Sequence, residues 1–184
     1  MPRTGQTIRN SITTETITFV RTSADTDGAA VELLFEVSGG GEVPAAHVHP
    51  KQTETFEIHE GRCRVVVDGV ASEAGPGDVV AVPPGVAHAW GAVSDVKMTV
   101  TLEPALRADE FFVDLFALTN AGHADAKGLP TPLTMAALCQ EYRDLVYLAA
   151  APAWVQKAAF AVLGRLGRAL GRGPGAVAPA LAAA

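Results

Sequence analysis

Alternating apolar and polar positions dominate the N-terminal half of the chain, which is the pattern of β-strands whose two faces meet different surroundings. From Val31 to Val37 large apolar residues occupy every second position, and the same alternation runs from Val96 to Leu102. In a third segment the side chains of Glu54, Phe56 and Ile58 are predicted to share one face, with polar residues between them. These segments predict half-buried strands that enclose an apolar interior.

Turn-forming residues separate several further strands. The additional strand segments are Ile12–Val20, Arg62–Val67, Val79–Val82 and one that opens at His88. Glycine and proline clusters interrupt the pattern at Gly39–Gly41 and Pro83–Gly85, where free φ at glycine and fixed φ at proline favour turns. The first nine residues carry no periodic pattern, and we expect a loose arm there.

Beyond Pro104 the apolar period changes to that of helices. Three helices are predicted, over Arg107–Leu118, Thr134–Leu148 and Ala153–Leu170. The sequence is therefore expected to be mainly β with a C-terminal α-helical extension. We expect three parts: a β-domain over 1–103, a helical extension over 104–172 and a flexible tail over 173–184. The apolar stripe of each helix is expected to pack on the β-domain or on a second subunit; the alternative is that the helices cover the mouth of a pocket.

Composition and charge exclude several classes of function. The formal net charge of −6 disfavours nucleic acid, whose phosphates need clustered Lys and Arg. The charges after position 150 are all positive, but the Ala-rich helix there predicts a weak apolar face, so a membrane partner is also disfavoured. The two cysteines, Cys63 and Cys139, are not expected to pair. Without a visible secretory signal, a cytoplasmic location is expected.

The chemistry of the chain concentrates in two short stretches. His47 and His49 are two residues apart, so on a strand their side chains point to the same face. Glu54 follows after a turn and opens the next strand, while His88 lies just beyond the Pro83–Gly85 turn. Imidazoles together with a carboxylate are ligands for non-haem iron, manganese or zinc with open positions. We therefore predict that these four side chains bind one divalent transition metal ion, namely Fe, Mn, Ni, Co or Zn.

These residues resemble the two sequence motifs of the cupin family. The first motif is matched by Gly41, His47, His49, Glu54 and Gly61, and the second by Gly77, Pro83, Gly85 and His88. One position departs from the pattern, because Ala92 stands where the second motif ends in asparagine. The resemblance implies a double-stranded β-helix, or jelly-roll barrel, with the metal inside it.

The resemblance leaves the reaction open, because this fold carries many functions. One hypothesis is a metal-dependent dioxygenase acting on a small enol, phenol or diketone. The others are an isomerase or lyase that uses Lewis-acid catalysis and a non-catalytic module that binds a small ligand. No catalytic residue and no cofactor besides the metal is assigned.

The same patterns make three smaller predictions. Phe56 and Trp90 are candidates for the pocket wall, although the barrel core is the favoured position for Trp90. His59 should point away from the metal because it alternates with Glu54. Cupins commonly pair through barrel edges, so the resemblance implies a homodimer.

Overall fold

The computed structural model describes residues 1–39, 45–179 and 181. Its larger sheet has six strands. In sheet order they are β1 (Thr7–Arg9), β2 (Thr16–Arg21), β3 (Val31–Val37), β10 (Val96–Glu103), β5 (Thr53–Glu60) and β8 (Val79–Val82). Every pairing in this sheet is antiparallel.

A five-stranded sheet lies opposite. In sheet order its strands are β11 (Tyr147–Leu148), β4 (His47–Val48), β9 (His88–Ala92), β6 (Cys63–Val67) and β7 (Val70–Ala74). The two sheets meet through their inner faces, where the rings of Phe35 on β3 and Trp90 on β9 make an edge-to-face contact at 5.9 Å between centroids. The predicted β-barrel of the cupin type is thereby confirmed.

The alternation that predicted the central strands corresponds to burial in the structure. On β3 the buried positions are Val31, Leu33, Phe35 and Val37, and on β10 they are Val96, Met98, Val100 and Leu102. On β5, Phe56 and Ile58 are almost fully buried, whereas the residues that alternate with them are half-buried or exposed. The interior is therefore apolar except where polar side chains replace this pattern at one end of β5.

The N-terminal segment differs from its prediction. Instead of a loose arm, Thr7–Arg9 form β1 and pair with β2, which begins at Thr16 rather than at Ile12. Between them the side-chain oxygen of Asn10 accepts hydrogen bonds from the backbone N–H of Ile12 and Thr13. The Asn10 side chain accepts from backbone N–H groups that would otherwise pair in a strand ladder, so a turn forms here instead.

The extension contains three helices, α1 over Ala108–Asn120, α2 over Pro132–Glu141 and α3 over Ala153–Ala169. The second helix ends seven residues earlier than predicted, because the chain turns and then pairs Tyr147 with Val48 and Leu148 with His47. Tertiary pairing thus overrides the helical period in this segment. No helix in residues 1–39, 45–179 and 181 is long and apolar enough to cross a membrane.

Hydrogen bonds and aromatic contacts join α1 to the barrel. The buried Asp109 carboxylate accepts from the Ser23 backbone N–H and hydroxyl at 3.1 and 2.6 Å. On the same helix, the ring of Phe112 lies 5.7 Å from that of Phe35. The barrel and the start of the extension therefore share one hydrophobic core.

The last helix does not pack its predicted stripe on its own barrel, and packing on a second subunit stays a prediction. Its stripe of Val155, Ala159, Val162, Leu166 and Leu170 is exposed, and its buried residues are Gln156, Gly164 and Gly167. This small face contacts α2, where added Cβ atoms at the two glycines would meet backbone oxygens of Leu133 and Ala136 within 3 Å. Close backbone approach, rather than burial of the larger side chains, sets how the helix packs.

The structure bears on several smaller expectations. Cys63 and Cys139 are both free and buried. The first motif glycine, Gly41, lies outside the described residues. Within the tail predicted to be flexible, Leu181 forms an isolated antiparallel bridge with Ile8.

Candidate metal centre

Three strands bring the predicted ligands to one end of the barrel interior. His47 lies on β4 and faces His88 on β9 in the ladder, and His49 follows directly after β4. Glu54 lies near the start of β5 in the opposite sheet. The cluster therefore spans both sheets, and residues far apart in sequence meet there.

The ligand atoms of the four side chains lie within 4.8 Å of one another. The Nε2 atoms of His88, His49 and His47 are 2.6, 3.4 and 4.0 Å from Oε2 of Glu54. A metal ion with bonds of roughly 2.0–2.2 Å keeps its ligand atoms about 3 to 4 Å apart. The donor set therefore fits a single ion after only small side-chain movements.

Backbone carbonyl groups set the tautomer of all three imidazoles. Nδ1 of His47 is 3.2 Å from Ala45 O, and Nδ1 of His88 is 3.0 Å from Val86 O. Nδ1 of His49 is 2.7 Å from Leu145 O. A carbonyl oxygen can only accept, so each Nδ1 carries the hydrogen. In a neutral ring the lone pair then lies on Nε2, the nitrogen nearest Glu54, where it is available to a metal ion.

The partner of His49 comes from the helical extension rather than from the barrel. Leu145 lies just before β11, whose pairing with β4 holds the extension beside the histidine strand. Gln156 on α3 holds this segment in place by accepting from Leu148 N and donating to the oxygens of Leu148 and Ala151. Sequence patterns do not identify this contact, because it is made by a main-chain oxygen, which every residue type has.

Glu54 and His88 stabilise each other's charged forms. Burial raises the pKa of Glu54, but hydrogen bonds from His49 and His88 outweigh it, and the pKa lies below its usual range. Burial lowers the pKa of His88, but the hydrogen bond and charge of Glu54 outweigh that effect and raise it. Burial lowers the pKa of His47 to about 4. The carboxylate is thus anionic and His47 neutral at neutral pH.

Aromatic side chains lie beneath the cluster. The ring of Phe56 is 6.3 Å from that of His88, and Trp90 is 6.4 Å from Phe56. Both are buried, and Trp90 also contacts Phe35, so it belongs to the core as well. An apolar floor of this kind limits access of water to the ligands.

His59 and Ala92, which are not among the predicted ligands, also have clear positions. His59 is exposed and hydrogen-bonds to the hydroxyl of Thr99 at 2.7 Å, so it faces away from the cluster as predicted. Ala92, which replaces the motif asparagine, is buried and pairs with Cys63 between β9 and β6. The strand ladder is therefore intact at this departure.

The glycine after β5 shows why the motif needs that residue type. Gly61 has a φ of 77°, and a Cβ atom there would lie 1.7 Å from the backbone oxygen of Asp95. Only glycine satisfies both the left-handed conformation and this close approach.

Comparison with known proteins agrees with this geometry. The family model described as the cupin domain matches residues 33–102, which contain all four clustered side chains. Residues 33–102 therefore form a cupin domain. Among curated proteins, none matches the chain.

Several solved structures resemble parts of this chain. KdgF from Halomonas sp. is 18% identical with a TM-score of 0.44, over 49% of this chain and 78% of KdgF. Pac13, a nucleoside dehydratase from Streptomyces, is 18% identical with a TM-score of 0.47, over 59% and 86% of the two chains. An RmlC-like cupin from Shewanella frigidimarina is 21% identical with a TM-score of 0.46, over 55% and 86%. At identities this low, the activities of those proteins do not carry over to this chain.

Proposed function

We propose that His47, His49, Glu54 and His88 bind one divalent transition metal ion and that this cupin is a metal-dependent dioxygenase. The substrate class is a small enol, phenol or diketone. The observation that carries the proposal is the convergence of three Nε2 atoms, each with its Nδ1–H held by a carbonyl, on one carboxylate oxygen. Three nitrogen ligands and one oxygen ligand without a thiolate suit Fe, Mn, Ni, Co or Zn.

When held by these four side chains, a redox-active ion would supply open coordination positions for an electron-rich substrate and dioxygen. The residues of the chain hold the ligands and shape the site. The three backbone carbonyls fix the imidazole rings, and the Glu54 carboxylate offsets the charge of a divalent cation. Phe56 and Trp90 are buried beside His88 and exclude bulk water from this side of the site.

The hydrogen-bond pattern favours this reaction over isomerase or lyase chemistry. In the part of the chain that the structure describes, the four side chains have polar contacts only with each other and with backbone carbonyls. Proton transfer at a polarised carbonyl needs a further base within hydrogen-bond reach. Tyr142 and Tyr147 do not supply it, because their hydroxyls donate to Asp114 and to Arg143 O.

Metal content and oxygen consumption test the proposal together. The full chain is purified without added metal, its metals are quantified, and the protein is then reloaded anaerobically with Fe(II). With a panel of phenols and β-diketones, we expect oxygen uptake that matches substrate loss. The matched controls are Glu54→Gln, which removes the carboxylate, and His59→Gln, which changes a histidine that faces away. Zinc as the resident metal, with no turnover after iron loading, would instead favour Lewis-acid chemistry or a binding module.

We also propose that the protein is a homodimer that pairs through barrel edges. Pairing would cover strand edges that otherwise invite aggregation. Light scattering at micromolar concentration measures the mass directly, and the mass of a single chain would contradict this proposal.

A further inference from the structure

The last helix presents an uncovered apolar stripe. Val162 is 68% exposed, Leu166 48% and Leu170 57%, and they recur at spacings of four residues on one side of α3. Trp154 in the first turn is 75% exposed. Large apolar side chains grouped in this way on a surface mark a site of interaction.

The orientation of α3 is determined by its contact with α2. Gly164 and Gly167 face α2, where added Cβ atoms would lie 2.8 Å from Ala136 O and 2.5 Å from Leu133 O. Gln156 on the same side is 5% exposed and makes three hydrogen bonds. Rotating the helix to bury the stripe would break these contacts, so the stripe remains available to a partner.

The chain from position 145 onward carries only positive side-chain charges. All 20 acidic residues precede position 145, and Lys157, Arg165, Arg168 and Arg172 follow it. Arg165 comes three residues after Val162 and therefore flanks the stripe. Among the described residues, Arg165 and Arg172 form no ion pair, and Arg168 is 3.8 Å from Glu141. In an otherwise acidic protein, the exposed apolar side of α3 is thus flanked by the cation Arg165.

We infer that this face of α3 docks on a membrane surface that contains anionic lipids, with the helix parallel to the membrane plane. The exposed valine and leucine side chains would enter the acyl boundary, the cations would contact lipid phosphates, and Trp154 would lie at the interface. The 17-residue helix is about 25 Å long and supports contact along the surface. The inference does not depend on the metal centre.

A second copy of the chain is the less favourable occupant. Pairing α3 with the α3 of a second copy would bring the stripes together but would also bring together two sets of flanking cations, which repel each other. The apolar face of α3 that the sequence predicts to be weak is the face left exposed. The glycines are turned inwards, and the larger side chains of Trp154, Val162 and Leu166 face outwards.

Vesicle flotation of the full chain tests this inference. We expect binding to vesicles of phosphatidylglycerol and phosphatidylcholine, and no binding to pure phosphatidylcholine. Binding should weaken with added salt, since screening reduces the attraction. The emission of Trp154 should shift to the blue with anionic vesicles, whereas Trp90 is already buried.

Two variants make the test specific. The double variant Val162→Asp/Leu166→Asp should lose at least about tenfold in vesicle affinity, because charges oppose entry into the acyl boundary. Val70→Asp removes a side chain that is 71% exposed on the barrel and should bind like the unmodified chain. Equal far-UV circular dichroism would show that both variants are folded.

Three outcomes would overturn the inference. One is failure of the unmodified chain to float with anionic vesicles, and another is equal flotation of the double variant. The third is a dimer in sedimentation that Val162→Asp/Leu166→Asp converts to monomer, because the stripe would then be covered by a second copy.

Discussion

Nδ1 of His49 donates a hydrogen bond to the main-chain oxygen of Leu145, 2.7 Å away and 96 residues later in the chain. A barrel residue proposed to bind metal is thus oriented by the extension that follows the barrel. Such outer partners fix the ring orientation and tautomer of ligating histidines. The extension is therefore part of the centre.

Removing the side chain that holds this segment should weaken metal binding from a distance. In Gln156→Ala, the backbone N–H and oxygen of Leu148 each lose a hydrogen bond to the Gln156 side chain, and the Ala151 oxygen loses one as well. We expect a loss of about 1–3 kcal/mol in the free energy of unfolding. Metal affinity should fall by about tenfold, because His49 is less firmly oriented. Urea unfolding of the metal-free protein and competition with a chelator measure the two effects.

Gln140→Ala is the matched control for that variant. Gln140 also lies between α2 and α3, but it makes one long hydrogen bond, of 3.3 Å, and leaves its buried Oε1 unpaired. Its removal should leave metal affinity unchanged. Equal losses of affinity in both variants would show that general loosening of the helices, and not the contact with β11, is responsible.

Neutralising the carboxylate should abolish high-affinity metal binding. Glu54→Gln keeps the shape of the side chain but removes the anion around which three imidazoles converge. We expect metal affinity to fall at least about 100-fold, more than is typical when an outer partner is lost. His59→Gln should retain full occupancy. Metal content per chain, measured after chelation and reloading, decides the result, and full occupancy in Glu54→Gln would contradict the proposed ligand set.

Metal affinity should decrease as pH falls, because protons compete with the ion for the imidazoles. The raised pKa of His88 means that protons compete for this ring at a higher pH than for an ordinary histidine. His47, with a pKa of about 4, is protonated only in stronger acid. Equilibrium dialysis at pH 7.5, 6 and 4.5, followed by metal analysis, tests the prediction. Metal retained undiminished at the lowest of these values would contradict it.

Adding a methyl group between the last two helices should destabilise the extension. In Gly167→Ala the new Cβ would lie 2.5 Å from Leu133 O, which is a backbone atom and cannot move without shifting α2. Helix propensity alone would favour alanine by about 1 kcal/mol. We nevertheless expect a net loss of about 1–3 kcal/mol in unfolding free energy from overpacking.

The reverse exchange at an exposed position provides the reference for that variant. Ala158 lies on the exposed side of α3, so Ala158→Gly should cost only the propensity difference of about 1 kcal/mol. Chemical denaturation followed by circular dichroism measures both changes. A stabilised Gly167→Ala protein would show that the close helix contact is absent.

Much of the barrel could be predicted because local pattern and burial agree there. The alternation in Val31–Val37 and Val96–Leu102 follows from strands with one face in a shared core. The spacing of His47, His49 and Glu54 similarly anticipated their convergence, and their binding of a metal remains a prediction. Where neighbouring residues of a strand face the core and the solvent in turn, the alternation of apolar and polar residues predicts the strand.

The remainder depends on partners that the local pattern does not record. The short strand Tyr147–Leu148 forms because β4 offers a free edge, although its sequence continues a helical period. The stripe on α3 has the spacing of a buried face, yet the two glycines allow a closer approach of the opposite side to α2. These features result from competition between surfaces, which a single segment cannot reveal.

The pairing of β11 with β4 has a consequence for how the protein is made. The ribosome synthesises the barrel strands before the segment around Leu145. Nδ1 of His49 therefore lacks its acceptor, the Leu145 oxygen, until that segment has been made. Metal loading would therefore be a late step in maturation, following release of most of the chain. A domain excised at the end of β10 would retain four ligands with one of them unanchored, and it would be an incomplete starting point for engineering.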